Sequence, residues 1–211
     1  MNQAPVPTFQ PDDSPQTLLD RVRVVLCRTS HPGNIGAAAR AMKTMGLSRL
    51  YLVSPMCELD SVAEARAAGA SDVLIGAVRC ASLGEALSGC VHAVALSARL
   101  RDLGPVASGV RESAVPLLQA AAAGDVALVF GNETSGLSNE ELRRCQKAVT
   151  IPSSPAFSSL NLGAAVQVMA YELRMAAFNE APPAMETPAT PFQSPAAALD
   201  EIERFYEHHE R

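Results

Sequence analysis

Two rhythms of apolar and polar positions alternate along the chain. Short unbroken apolar runs of strand length stand between stretches whose apolar residues recur every three or four positions. RVRVVLC (21–27) reads as a buried strand. HPGNIGAAARAMKTMG (31–46) opens on a Pro-Gly turn, becomes Ala-rich and helical, and closes at Gly46, a natural helix stop. LSRLYLVSP (47–55) is a second strand, halted by Pro55. A helix over 61–68 and an extended piece over Val73–Val78 follow. SLGEALSG (82–89) reads as a short helix, with Ser82 and Glu85 at capping-box spacing. CVHAVALSA (90–98) is a strand, 112–123 a helix, and DVALVFG (125–131) a strand that ends in a Gly-Asn turn. Ser138 and Glu141 repeat the capping box before a helix at 139–145, and KAVTIP (147–152) is the last strand. SLNLGAAVQVMAYELRMAAF (159–178) is a long helix, apolar nearly all round and so expected to be buried.

This alternation predicts an α/β fold: a mostly parallel sheet with helices on both faces. Functional loops in such sheets lie at the C-terminal ends of strands, here 28–36, 96–101 and 131–138. Residues 1–19, rich in Pro, Asp and Gln, read as a flexible arm before a folded domain at 20–179. Residues 180–198 form a Pro/Ala linker. LDEIERFYEHHER (199–211) then sets Leu199, Ile202, Phe205 and Tyr206 on one side of a helix. That segment is either a docking helix or the truncated start of a larger C-terminal module.

Composition narrows the function. A length of 211 residues suits one ordinary domain with tails, or two small ones. Aromatics are 4% and Trp is absent, so Ala, Val and Leu must fill the core, and a single-strand nucleic-acid binder relying on stacking is a poor fit. No apolar run has the length of a membrane span, and the N-terminus lacks a basic-then-apolar secretory pattern, so a cytoplasmic protein without membrane contact is expected. Five cysteines (27, 57, 80, 90, 145) include no CxxC pair and read as reduced, buried thiols. His31, His92, His208 and His209 add no ligand spacing, so no metal is expected. The net charge of −5 resides in 180–211, where seven acids face two bases; residues 1–179 balance at 15 of each. A neutral body can still carry a local basic face, from Arg28, Arg40, Lys43, Arg49, Arg99, Arg101, Arg143, Arg144 and Lys147, although charge alone favours ordinary surface residues.

GxGxxG, GxxxxGK[ST] and GxSxG are all absent. Three other segments stand out. Asn34, Gly36 and Arg40 form N-x-G-x-x-x-R on a turn entering a helix. Asn34 can cap that helix, Gly36 permits close approach of another chain or a ligand, and Arg40 follows one turn later; the plain alternative is a capped helix with a surface arginine. In FGNETSGLSNEEL (130–142) an apolar strand runs directly into Gly131, Asn132 and Glu133, where glycine lets backbone N–H groups face a ligand. An ordinary connecting loop explains that segment equally well. In IPSSPAFSSLNLGAAVQVMAYEL (151–173), Pro152 and Pro155 stiffen a loop, and Ser158, Ser159 and Asn161 gather at the N-terminus of a buried helix. Such a terminus suits a carboxylate or phosphate, and capping is the alternative.

Taken together and in this order, the three segments resemble the three motifs of the SpoU branch of the SPOUT RNA methyltransferases, within it the TrmJ family of tRNA 2′-O-ribose methyltransferases. The strings HPGNIGAAARAMKTMGL, SAR (97–99), LVFGNETSGLSNEEL and FSSLNLGAAVQVMAYELRMA carry the likeness over 21–179, and ERFYEH extends it. The resemblance implies a deep trefoil knot in the C-terminal part of the domain, and a homodimer with a shared active site. It implies S-adenosylmethionine held by Ser97, Ala98, Arg99, Gly131, Asn132, Glu133, Ile151, Pro152, Ser159, Leu160 and Asn161. Asn34, Arg40, Glu133, Ser159 and Asn161 match the functional positions. A guanidinium stays protonated, so Arg40 is expected to clamp RNA phosphate and stabilise alkoxide charge rather than act as base. Ser159 and Asn161 would orient ribose or cofactor, and Glu133 would organise the loop and interface. The implied substrate is the ribose 2′-OH of nucleotide 32 in the tRNA anticodon loop. The alternatives are an rRNA or other-position tRNA methyltransferase of the same type, or a non-catalytic RNA-binding dimer. TrmJ-like chains usually continue with a basic extension, whereas the acidic tail here is expected to pack on the partner subunit.

Overall fold

The computed structural model describes residues 14–97, 107–154 and 156–178. In chain order they form α1 (Pro15–Asp20), β1 (Val22–Cys27), α2 (Pro32–Thr44), β2 (Arg49–Val53), α3 (Ser61–Ala67), α4 (Ser71–Ile75), β3 (Val78–Cys80) and α5 (Leu83–Ala86). Then come β4 (Cys90–Leu96), β5 (Ala107–Gly109), α6 (Val110–Ala123), β6 (Asp125–Phe130), α7 (Asn139–Arg143), β7 (Lys147–Thr150) and α8 (Leu162–Phe178). The seven strands form one sheet in the order β3-β2-β1-β6-β4-β7-β5, every neighbouring pair parallel.

Side chains of successive strand residues point to opposite faces, and the core divides accordingly. Val22, Val24 and Leu26 of β1 join a large apolar cluster with α2, α6 and α8. Val25 and Cys27 join a smaller one with Leu83 of α5 and Leu142 of α7. Both faces are covered, as the unbroken apolar run of β1 requires. At the N-terminal edge of the sheet, Asp125 accepts from Arg23 (2.6 Å) and Arg49 (2.7 Å), which neutralises the nearly buried Arg23.

The structure corrects several expected elements. Val73–Val78 is not one extended piece: its first part is α4, which buries Val73 and Leu74 and leaves Ile75 85% exposed, and only Val78–Cys80 is strand. Three consecutive apolar residues look like a buried strand, but one helical turn can bury two and expose the third. The last residues of the expected N-terminal arm form α1, where Ser14 caps, Pro15 occupies the first turn, and Leu18 and Leu19 are buried. The short strand β5 has no apolar signal and was not anticipated. Helix α8 begins at Leu162 rather than at 159. At 82–85 only half of the capping box forms, because Glu85 accepts from Ala81 N–H instead of from Ser82. At 138–141 both halves form. The linker at 180–198 and the segment at 199–211 lie outside the described residues, and among the described residues no helix is long and apolar enough to cross a membrane.

Gly36 does permit a close approach, and the approaching segment is α3 of the same chain. A Cβ there would overlap the Ala63 carbonyl oxygen. Gly36→Ala is expected to cost about 2–3 kcal/mol, read as a lower denaturation midpoint. An unchanged midpoint would mean that α2 and α3 do not cross this closely.

Candidate functional site

Because the sheet is parallel, β1, β4, β6 and β7 all deliver their C-terminal ends to one edge. Beyond β1 the chain turns through Arg28, a non-glycine residue in the left-handed region (φ 54°). Its carbonyl accepts from Asn132 Nδ2 at 2.7 Å. Beyond β6, the Asn132 Oδ1 accepts the N–H groups of Thr134 (2.9 Å) and Ser135 (3.2 Å), which folds the loop back on itself. The Arg28 guanidinium forks onto Glu141 (2.8 and 3.2 Å) and reaches the Gly136 carbonyl, and Glu141 completes the capping box of α7. The 131–138 loop is thus held at both ends.

Asn34 does not cap α2. That role falls to His31, whose Nδ1 accepts the Gly33 N–H at 3.0 Å, because Pro32 opens the helix without a donor of its own. Asn34 sits inside the first turn and donates from Nδ2 to Glu133 Oε1 at 2.8 Å. Its Oδ1 accepts from Asn161 Nδ2 at 3.0 Å, and Asn161 Oδ1 accepts the Gly163 N–H at 2.9 Å at the start of α8. Ser30 donates to Glu133 Oε2 from both N–H (3.1 Å) and hydroxyl (3.0 Å). Side chains of all three sequence segments therefore meet in one hydrogen-bonded relay.

Partial burial pushes the Glu133 carboxyl up, but bonds from Asn34, its own loop backbone and Ser30 outweigh this and hold it below the usual carboxylate range. Glu141 is likewise pushed up by burial and brought lower by Arg28 and Ser138. Asp125 is lowered chiefly by its bond to Arg49. The unfolded chain then binds more protons than the folded one in the window between the two ranges, so stability falls as pH drops through it. The denaturation midpoint is expected to hold from about pH 7 to about pH 5 and to fall below about pH 4. A profile flat to about pH 3 would contradict these pairings.

A cavity of about 220 Å³ opens beside the relay. Leu96, Phe130, Val149 and Leu162 give it an apolar floor, and Thr134, Ser135 and Ser158 give it polar groups. Of the expected cofactor residues, Ser97, Gly131, Asn132, Glu133, Ile151, Ser159 and Leu160 line it. Pro152 and Asn161 are not among its lining residues, and the Asn161 side chain bonds to Asn34 in the relay. Ala98 and Arg99 lie outside the described residues. Thr134–Leu137 lie in the expected functional loop 131–138 and Leu96 opens the loop 96–101, but none of these, nor Phe130, Val149 and Leu162, was among the expected cofactor residues. The apolar strand ends at 96, 130 and 149 were the available signal for the floor. An apolar floor suits a flat heteroaromatic base, and the hydroxyls suit a ribose, which fits S-adenosylmethionine.

Arg40 enters neither the relay nor the cavity. It is exposed on α2 and its guanidinium has no partner among the described residues. Its neighbours in sequence differ, since Lys43 pairs with Asp72 and Arg49 with Asp125. Cys27 and Cys145 are buried, and burial pushes both thiols up, that of Cys145 to about 12, so neither is an activated nucleophile.

The SpoU rRNA Methylase family matches residues 21–171. A protein of Pectobacterium atrosepticum, tRNA (cytidine/uridine-2′-O-)-methyltransferase TrmJ, is 48% identical over 194 residues, covering 92% of this chain and 79% of that protein. The tRNA (cytidine/uridine/adenosine-2′-O-)-methyltransferase TrmJ of Pseudomonas aeruginosa is 51% identical over 199 residues, covering 92% and 77%. Among solved structures, TrmJ from Z. mobilis superposes with a TM-score of 0.69 at 31% identity, covering 89% of this chain and 77% of that one. The SpoU methyltransferase AviRb from Streptomyces viridochromogenes, in complex with AdoMet, gives 0.60 at 25% identity, covering 75% and 61%.

Proposed function

Since the chain belongs to the SpoU rRNA methylase family, we propose that it transfers a methyl group from S-adenosylmethionine to a ribose 2′-OH of tRNA, at nucleotide 32 of the anticodon loop. The observation that carries this reading is the Asn34–Glu133–Asn161 relay at the rim of the cavity, which unites the three motifs at one edge of the sheet. Two TrmJ relatives at 48% and 51% identity support tRNA as the substrate.

S-adenosylmethionine supplies an electrophilic methyl carbon on a sulfonium. The chain's own residues do the rest. Leu96, Phe130, Val149 and Leu162 would hold the cofactor's base and keep water from it. Ser159 orients the ribose or the cofactor at the cavity rim. Arg40, unpaired and exposed, clamps an RNA phosphate and stabilises negative charge developing on the 2′ oxygen. Glu133 stays ionised and fully engaged by donors, so it organises the two loops. The chain's own contribution would be to place the ribose 2′ oxygen at the cavity rim and leave its hydroxyl proton open to solvent, which takes it as the methyl group is transferred.

The fold is completed in this reading by a trefoil knot around the cavity loops, where Ser97 lines the cavity. The working form is a homodimer. Phe157, 78% exposed, and Leu160, 41% exposed, offer apolar surface beside the cavity for the partner subunit.

Calorimetry with S-adenosylhomocysteine is the first test. Binding at one site per protomer is expected, and no binding would overturn the methyltransferase reading. Methylation of unmodified tRNA, followed by nuclease mapping, is then expected to place the label at nucleotide 32. Label at another tRNA nucleotide, or in rRNA alone, would overturn that target.

A further inference from the structure

We propose that Ser30 is a positioning residue of this site, acting on the cavity walls through Glu133, Asn34 and Asn161. The kinetic part of the proposal rests on the methyltransferase reading; the structural part stands without it. Ser30 follows the left-handed turn at Arg28, within the 28–36 loop but outside the N-x-G-x-x-x-R motif. Its N–H and hydroxyl both donate to Glu133 Oε2, at 3.1 and 3.0 Å, while Asn34 takes Oε1 at 2.8 Å. With both oxygens engaged, the carboxylate cannot turn without breaking these bonds.

That fixation propagates. A carboxylate only accepts, so Asn34 must present its NH₂ to Glu133 and its carbonyl oxygen to Asn161. Asn161 must then present its NH₂ to Asn34 and its oxygen to the Gly163 N–H. The direction of every bond in the relay is therefore set at both ends, by a carboxylate that only accepts and by the Gly163 N–H that only donates. The relay terminates in the first turn of α8, where Leu162 and Ala165 line the cavity, and it starts in the loop whose residues 131–137 also line it. Ser30 thus sets the register of one wall against the other. Without its hydroxyl, Oε2 keeps the Ser30 N–H and a 3.4 Å contact from Asn132 Nδ2, and the carboxylate gains freedom to turn toward water.

The test compares Ser30→Ala and Ser30→Thr in the full chain. Amide hydrogen exchange at Gly163 reports the far end of the relay, S-adenosylhomocysteine affinity reports the cavity, and kcat and KM for tRNA report the chemistry. Ser30→Ala is expected to speed Gly163 exchange about tenfold and to lower kcat by a similar factor. S-adenosylhomocysteine affinity is expected to fall about fivefold, with KM for tRNA unchanged and the melting temperature lower by only about 2–4 °C. Ser30→Thr, which restores the hydroxyl, is expected to return all three readouts to within about twofold of the parent. Unchanged exchange at Gly163 in Ser30→Ala overturns the coupling, whether or not the chain methylates tRNA. Faster exchange with unaltered affinity and kcat overturns the positioning role. Failure of threonine to rescue overturns the hydroxyl as its agent. A parent chain that neither binds S-adenosylhomocysteine nor methylates tRNA sinks the functional reading alone, and Gly163 exchange still decides the coupling.

Discussion

Arg40→Ala is expected to lower kcat for tRNA methylation by on the order of 10²–10³-fold, with a melting temperature close to that of the parent. The two halves of this expectation come from one observation. The Arg40 guanidinium is exposed and has no partner among the described residues, so the folded chain loses no bond when it is removed. A cation left unpaired on the helix that carries Asn34 is available to RNA. Arg28 and Arg49, by contrast, are committed to Glu141 and Asp125. Arg40→Lys separates charge from geometry. Lysine keeps the positive charge but loses the planar fork that matches two phosphate oxygens. The expected result is a loss of about tenfold or more in kcat at saturating tRNA. Near-normal turnover by Arg40→Lys would defeat the bidentate clamp and leave a point charge sufficient. A large fall in melting temperature for Arg40→Ala would instead show that the side chain braces the fold.

The order of strands and helices was legible because it is written in local patterns. VRVVLC is apolar on both faces, and β1 is buried on both. The reading failed where short range and long range disagree. At Val73–Ile75 three apolar residues in a row suit either a strand or a single helical turn, and contact with α2, not local pattern, selects the turn. At Pro15 a proline-rich composition suggested an arm, although Ser14 and Pro15 are also a proper helix start.

The site divides in the same way. Asn34, Glu133 and Asn161 were identifiable as unusual, but their bonding was not. Asn34 reaches Glu133 across 99 residues and Asn161 across 127, separations at which spacing carries no information. For that reason Asn34 read as a helix cap when His31 does the capping, and the bond from Asn161 to Asn34 had no signal in the sequence. Ser30 escaped notice because a lone serine after a strand has no pattern at all; only the position of Glu133 gives it a task. Gly36 was correctly read as a place of close approach, with the wrong neighbour assigned. Sequence thus identifies residues that need an explanation, and the fold supplies their partners.

Gly131→Ala is expected to remove S-adenosylhomocysteine binding, by at least about 100-fold, and to destabilise the fold by about 2–4 kcal/mol. A Cβ at this position would overlap the Gly136 carbonyl carbon and the Leu137 nitrogen, and would lie 2.6 Å from the Gly136 oxygen. All three are main-chain atoms, so no rotamer change relieves the clash. The loop must open instead, against the Gly136 N–H to Asn132 oxygen bond at 2.8 Å and the Arg28 contact to the Gly136 carbonyl. It also drags Leu137, 2% exposed, out of the smaller apolar cluster. Thr134, Ser135 and Glu133 ride on the same loop, so the cavity loses its polar wall as it loses its shape. Gly136→Ala is the control. Its Cβ would meet nothing within 4 Å, although φ is 67°, so only left-handed strain of about 1 kcal/mol is expected. Gly136→Ala should therefore bind S-adenosylhomocysteine within a few-fold of the parent. If Gly136→Ala proved the more damaging of the two, the hairpin would be held by backbone conformation rather than by close packing at Gly131, and the cavity wall would have to be redrawn around that turn.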